Sequence, residues 1–367
     1  MRPLHRARQN LRRALGEGFE RLVVARTAGA GEHVFEGDVV RDEAALDALA
    51  ATAMLHARDG FVKFTVVRAG GERVVIDVRH GGSKVVPAAP AEKVMGGKAR
   101  ALNPVENGAL LRVLGIQNAD GTISAQNAKK YKQVSHLVEL LRPAWEAGAR
   151  RGVTAEAPLR VLDLACGNAY LSFVLADALR GAGIPFVLHG VDVREDLVER
   201  CTTRAAALGL STMAFSRSTI AGARELGAAL GGPPDLVLAL HACDGATDEA
   251  LAAADALGAA SIFVVPCCQA ELAAELRRNR GGPTPAYRHG LLLREHAATL
   301  TDALRVDWLE AHGWAVDVVE FVDAEHTPKN RLLRAARARR PDPALVAAWS
   351  ARCDVLGAHP QGLSHQN

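Results

Sequence analysis

An apolar run that closes on a carboxylate, a turn of small residues with one glycine, and an aliphatic stretch follow one another in Val161-Leu162-Asp163-Leu164-Ala165-Cys166-Gly167-Asn168-Ala169-Tyr170. This is the pattern of a buried strand feeding a tight turn into a helix. Gly167 lets a ligand approach the backbone closely. The helix start offers free N–H groups and a positive dipole end to an anionic group. In open α/β sheets ligands bind at the carboxyl ends of strands, where this turn falls. A dinucleotide site would call for G-x-G-x-x-G. Here one glycine stands alone and Asp163 would repel a pyrophosphate, which disfavours a nicotinamide oxidoreductase. A carboxylate in this place suits a ligand with a cationic centre. S-adenosylmethionine has an ammonium and a sulfonium beside its carboxylate. Asp192 closes the next apolar run, where it can accept both ribose hydroxyls. The expected donor-binding set is Asp163, Ala165, Cys166, Gly167, Asn168, Asp192, Val193 and His241.

A second cluster, Leu240-His241-Ala242-Cys243-Asp244-Gly245-Ala246-Thr247-Asp248, follows another apolar run and should face the same site. His241, Cys243 and Asp244 are the catalytic candidates. His241 or Asp244 could accept the acceptor's proton, given hydrogen-bond reach. Thr247 or Asp248 could instead cap the next helix. Val265-Pro266-Cys267-Cys268-Gln269-Ala270-Glu271 ends the next run. Its vicinal cysteines could line a pocket or serve as small apolar filler, and no metal site is expected. The segment Asp323-Ala324-Glu325-His326-Thr327-Pro328-Lys329-Asn330 reads as a turn whose polar residues could meet a substrate. Lys130, Tyr131, Lys132, Gln133, Cys267, Cys268, Gln269, His326, Lys329 and Asn330 make up the substrate-binding candidates. Lys84, Lys98, Arg100 and Lys129 to Lys132 are the residues expected to touch phosphates.

The net charge of +3 conceals strong segregation. Residues 1–26 carry net +5, residues 93–133 net +5, and residues 329–340 net +6. Such clustering points to an anionic partner, nucleic acid first. Hydrophobic residues at 49% and charged residues at 23% exclude a disordered chain. No apolar run is long enough to span a bilayer, and the basic N-terminus lacks the apolar core of a secretory signal. Six cysteines, with no C-x2-C pair, point to a reducing cytosol. No membrane association and no obligate protein partner are inferred.

These motifs need elements to hold them. Residues 1–26 read as a basic helix or arm, and 42–58 as a helix. Phe61 to His80 reads as a β-hairpin around Ala69-Gly70-Gly71-Glu72, and 81–100 as loop. Residues 104–116 are expected to be helical. In 129–148, Val134, Leu137, Val138 and Leu141 mark an amphipathic helix. From 159 onward strands (159–165, 185–193, 235–241, 261–266) alternate with helices (170–182, 195–209, 247–257, 300–313), the signature of a doubly wound sheet. Strands at 316–323 and 331–337 come in succession, an antiparallel pair at one edge. The expected organisation is an accessory α+β domain at 1–100, a helical linker at 101–150, the catalytic α/β domain at 151–340, and a loose tail at 341–367.

With these residues in place, the chain resembles a bacterial class I S-adenosylmethionine-dependent methyltransferase family. That family is marked by K-[YF]-[RK]-Q-I, D-[LF]-[AG]-C-G, L-H-A-C-D-x-A-T-D, P-C-C-Q-H-E-L and E-H-T-P-K-N. They stand here, in order, at Lys130 to Val134, Asp163 to Gly167, Leu240 to Asp248, Pro266 to Leu272 and Glu325 to Asn330. It is similar, more distantly, to eukaryotic tRNA ribose 2′-O-methyltransferases. Ala270 replaces the histidine of the fourth motif, and Ser218-Thr219 stands where many such enzymes carry an acid near the adenine. The resemblance implies an α/β fold: a Rossmann-like class I methyltransferase sheet with an antiparallel edge strand, plus the small N-terminal α+β domain. It implies S-adenosylmethionine as cofactor and, with the charge pattern, an RNA acceptor (tRNA or rRNA). A protein or small-molecule acceptor, or a non-catalytic protein that binds adenosylmethionine or RNA, are the other readings.

Overall fold

A computed structural model describes residues 2–26, 32–37, 42–87, 102–222, 230–240, 242–266, 269–278, 285–321 and 330–364. The chain divides into two compact units, Met1–Lys132 and Gln133–Asn367.

The first unit is an antiparallel sheet with helices on one face. Helix α1 (Arg2–Gly16) leads into β1 (Arg21–Arg26) and β2 (Glu32–Glu36), then α2 (Glu43–His56), β3 (Phe61–Val67), β4 (Arg73–Asp77) and β5 (Gly82–Val86). Strand order is β2-β1-β3-β4-β5. Period-two alternation sorts the side chains. Leu22, Val24, Phe64, Val66, Val74 and Ile76 join Leu11 and Leu15 of α1 in one core. The β3–β4 hairpin is where the sequence places it, its turn relying on Gly70 at φ 79°. Residues 1–26 are not helix alone: α1 ends at Gly16 and Leu22, Val23 and Val24 form a buried strand. Residues 82–86, expected as loop, are an exposed edge strand. Helix α3 (Gly108–Val113) and the start of α4 (Ala125–Ala149) complete this unit.

The second unit is a seven-stranded sheet of order β11-β12-β10-β9-β6-β7-β8. Its strands are β6 (Leu159–Leu164), β7 (Phe186–Asp192), β8 (Met213–Arg217), β9 (Leu236–Ala239), β10 (Ser261–Val264), β11 (Trp314–Glu320) and β12 (Arg331–Arg337). β10, β9, β6, β7 and β8 run parallel. β12 is antiparallel to both β10 and β11. The expected α/β fold with an antiparallel edge is therefore present, beside an N-terminal antiparallel sheet. The intervening helices are α5 (Tyr170–Gly181), α6 (Glu195–Ala207), α7 (Gly245–Ala256), α8 (Ala270–Arg278) and α9 (Gly290–Ala311). α9 starts ten residues ahead of the expected position 300. β8 was not anticipated, because its five residues are only partly buried.

The expected loose tail is a helix, α10 (Pro343–Leu356). Pro343 stands at its first turn, where a missing N–H costs nothing, and the Asp342 carboxylate accepts from Ala344 N–H at 2.9 Å. Trp349 Nε1 donates to Leu304 O at 2.9 Å, and Cys353 is buried in the same core. Among the described residues no helix is long and apolar enough to cross a membrane.

Candidate functional site

The parallel strands send their following loops to one edge of the sheet, and the loops after β6, β7, β9 and β10 carry expected site residues there. β12 enters from the same edge: Leu333 pairs with Val264 at the end of β10, and Asn330 precedes it. The loops hold Ala165 to Asn168, Asp192 and Val193, Cys243 and Asp244, and Gln269, with Asn330 beside them. His241, Cys267, Cys268, His326 and Lys329 lie outside the described residues.

The turn after β6 is tightly wound. Ala165, Gly167 and Ala169 all take left-handed backbone, at φ 54°, 57° and 51°. Only glycine adopts this without penalty, and each of the two alanines costs on the order of 1 kcal/mol. Hydrogen bonds hold the strained path. Cys166 N–H donates to Val191 O at 2.8 Å and Ala169 N–H to Cys166 O at 2.8 Å. Gly167 N–H donates to the Asp192 carboxylate at 2.8 Å, tying the turn to the end of β7. No side chain caps α5, so its first amides are not claimed by a side chain of the turn.

The two carboxylates differ. Asp163 is buried and accepts the Ser172 hydroxyl from α5. Burial pushes its carboxyl up to about 7, against the Ser172 hydrogen bond and with a contribution from Asp192. Asp163 therefore lies beneath the turn and acts through it. Asp192 is also penalised by burial, but hydrogen bonds from the Arg194 side chain, the Arg194 backbone and Gly167 outweigh that penalty and hold it below its usual range. Arg194 Nε lies 3.1 Å from Asp192 Oδ1. Asn168 turns toward α6, where its side chain accepts from Arg200 at 3.3 Å and Arg204 at 3.4 Å. Val193 is exposed.

The turn after β9 is held from farther away. Asp244 has φ 51° and ψ −125°, a strained conformation for a non-glycine residue. Its carboxylate accepts from Glu271 N–H at 3.3 Å, and its carbonyl from Arg305 Nη2 at 2.9 Å. Thr247 donates to Ala242 O at 2.8 Å. Asp248 pairs with Arg305 Nε at 2.6 Å, both fully buried. Asp302 lies 3.5 Å from Arg305 Nη1, receives Gln269 Nε2 at 3.4 Å, and pairs with Arg331 at 3.0 Å. The last residue of the second motif is thus neither a cap nor exposed; it anchors the loop through Arg305. Cys243 is exposed and disulfide-bonded.

Tyr131 is fully buried and its hydroxyl donates to Leu102 O at 2.5 Å. Gln269 and Asn330 are buried as well, Gln269 serving Asp302. Lys130 and Gln133 are half-buried on α4 and Lys132 is exposed. The basic run on β12 is neutralised: Arg331 pairs with Asp302, Arg334 with Asp317 and Arg337 with Asp255. Sequence reading missed Ser172, Arg194 and Arg305. The first two lie within nine residues of the carboxylates they serve, whereas no local signal marks Arg305. It also missed Gly190 in β7, where a Cβ would come within 2.6 Å of the Phe215 ring and 3.2 Å of Cys166 Sγ.

Residues 129–275 match the model of a family described as a methyltransferase domain. No curated protein matches the chain. Among solved structures, WbdD bound to the kinase inhibitor LY294002 is 17% identical, with 54% of this chain and 40% of that chain covered and a TM-score of 0.34. An rRNA methylase from Streptococcus thermophilus is 13% identical over 50% of this chain and 88% of that one, TM-score 0.32. The SAH-bound Podospora anserina methyltransferase PaMTH1 is 12% identical over 68% and 94%, TM-score 0.39. The matched domain covers the turn after β6, the end of β7 and the turn after β9, and the donor set there fits the expected ligand: a low-pKa carboxylate for hydroxyls and an uncapped helix start for a carboxylate. Residues 129–275 are thus similar to a methyltransferase domain, and the residues gathered there fit S-adenosylmethionine as its donor.

Proposed function

We propose that this protein is an S-adenosylmethionine-dependent methyltransferase that acts on RNA, a tRNA or an rRNA, and works in the cytosol. The observation that carries the reading is the distribution of cations. After the β12 arginines are set aside as ion-paired, Arg6, Arg8 and Arg13 remain exposed on α1, and Lys129 and Lys132 are exposed on α4. Phosphate contacts from such residues make binding fall steeply with salt.

In this reading Asp192 accepts the donor's ribose hydroxyls, and the positive end of α5 faces its carboxylate. Asp163 holds the turn in shape from below. S-adenosylmethionine supplies an activated methyl on a cationic sulfur, which leaves neutral, so alignment is the main demand on the protein. The Asp244 carboxylate, held toward the start of α8 by Glu271 N–H, takes the proton released by a hydroxyl acceptor.

The test is methyl transfer from radiolabelled donor into extract of cells lacking this gene, resolved into RNA, protein and small-molecule fractions. The expected result is label in RNA, lost with Asp244→Asn while donor binding persists. Label confined to protein or to small molecules refutes the RNA acceptor.

A further inference from the structure

The first unit contains a cavity of about 270 Å³, just below the range of drug-sized ligand sites and ample for a phosphate group. It is built on the sheet face opposite α1 and α2. The register places Arg21 beside Val67, and Val67 beside Arg73, in one row across three strands. Residues in such a row point to the same face. Leu22 and Val66, one position on, enter the helix-covered core, so Arg21 and Arg73 face the other way. There the segment 102–123 forms the opposite wall and contributes Arg112 of α3. Arg112 Nη1 donates to Gln117 Oε1 at 3.3 Å, and Gln117 is itself held by Pro104 O at 2.9 Å and Gly121 O at 3.0 Å. Gly108 makes room for this pair: a Cβ there would lie 2.9 Å from Arg112 Nη1.

Three guanidinium groups thus line one cavity, against one lining carboxylate, Glu20. Arg21 is only 8% exposed, and its Nε is buried with no hydrogen-bond partner among the described residues. Burial, and then the Arg21 cation, press Arg112 away from its charged form, with Glu36 and Glu20 pulling the other way. Arginine stays protonated in proteins, so the repulsion has to be met by a counter-charge. A buried cation with an open donor is costly unless it is paired. Planar guanidinium donors match the oxygens of a phosphate.

We propose that this cavity is an anion site that takes a phosphate group, with Arg21, Arg73 and Arg112 as its donors. The anion site stands on the cavity alone. That the phosphate is one of an RNA strand rests on the acceptor reading above.

The full chain is titrated with inorganic phosphate, AMP, and a short oligoribonucleotide with and without a 5′-phosphate, all at constant ionic strength, following thermal unfolding and fluorescence anisotropy. The expected result is stabilisation by the phosphate probes, with affinity reduced tenfold or more in Arg73→Gln and in Arg112→Gln. Far-UV circular dichroism and S-adenosylhomocysteine binding stay unchanged in both, which separates this site from the donor site. Arg21→Gln serves as a third variant only if its dichroism is native. Oligonucleotide binding that exceeds that of inorganic phosphate tenfold and falls in the variants supports RNA as the source. Equal binding of inorganic phosphate, AMP and oligonucleotide supports the anion site and overturns its RNA source. The proposal itself is overturned if no probe binds, or if wild type and both variants bind equally.

Discussion

The turns after β6 and β9 lie on neighbouring strands at one edge of the same sheet, yet they are stabilised over very different distances along the chain. The β6 turn is closed from nearer by: Ser172 lies nine residues from Asp163, and Asp192 lies 25 residues from Gly167, at the end of the next strand. The β9 turn depends on Arg305, 57 residues beyond Asp248, and through Asp302 on Arg331. Both turns carry strained non-glycine backbone. One is held mainly by hydrogen bonds to backbone and hydroxyl groups, the other by a buried ionic network. Damage to the first should appear in ligand affinity and pH response, and damage to the second in global stability.

The largest effect is expected where the network is cut. Arg305→Met leaves Asp248 buried without its cation, while Asp302 keeps Arg331, and should cost about 3–5 kcal/mol in urea unfolding. A loss below about 1 kcal/mol would show that the β9 turn does not depend on this pair.

Asp163 governs the pH response of the β6 turn. Between the ordinary carboxyl value of 3.8 and about 7, the unfolded chain has released this proton while the folded chain keeps it. Stability therefore falls as pH rises through that window, with a slope approaching about 1.4 kcal/mol per pH unit. Asp163→Asn keeps an acceptor for Ser172 and removes the titration. Its unfolding free energy should be flatter than wild type between pH 4 and 7, and an unchanged slope would assign the titration elsewhere.

Asp192→Asn is expected to weaken S-adenosylhomocysteine binding by about 1–3 kcal/mol in calorimetry, the scale for losing a charged hydrogen-bonding partner. The smallest effect belongs to Arg194. Its pair with Asp192 is solvent-exposed on the arginine side, and exposed pairs contribute about 0–1 kcal/mol. Arg194→Ala should leave stability within that range, and donor affinity equal to or slightly above wild type because the Asp192 carboxylate loses a competitor. A marked loss of donor affinity would instead make Arg194 a donor contact.

The same contrast explains what could be read from sequence. Strands β6, β7, β9 and β10 are dominated by apolar residues, as strands buried on both faces require, with Arg160, Asp163, His189 and Asp192 as interruptions in β6 and β7, and their boundaries emerge within a few residues. The carboxylates of the β6 turn are visible because their partners are local. β8 escapes because an edge strand of five half-exposed residues carries little pattern. The C-terminal helix escapes because Pro341-Asp342-Pro343 reads as a chain break, whereas Asp342 and Pro343 open α10. Charge is the least legible feature. Arg331, Arg334 and Arg337 look like a cationic patch in sequence, but strand pairing and α9 bring Asp317 and Asp302 to two of them, and Asp255 comes from α7. Conversely, Arg21, Arg73 and Arg112 are far apart in sequence; strand register sets the first two in one row, and the segment 102–123 brings Arg112 to the same cavity.

The central claim is that the donor binds over the β6 turn and the end of β7. Peptide-resolved hydrogen exchange with and without S-adenosylhomocysteine tests it most directly. Protection concentrated at residues 165–172 and 192–194, and abolished by Asp192→Asn at the same ligand concentration, is the predicted result. Protection that leaves those segments unchanged while slowing exchange elsewhere would contradict the claim.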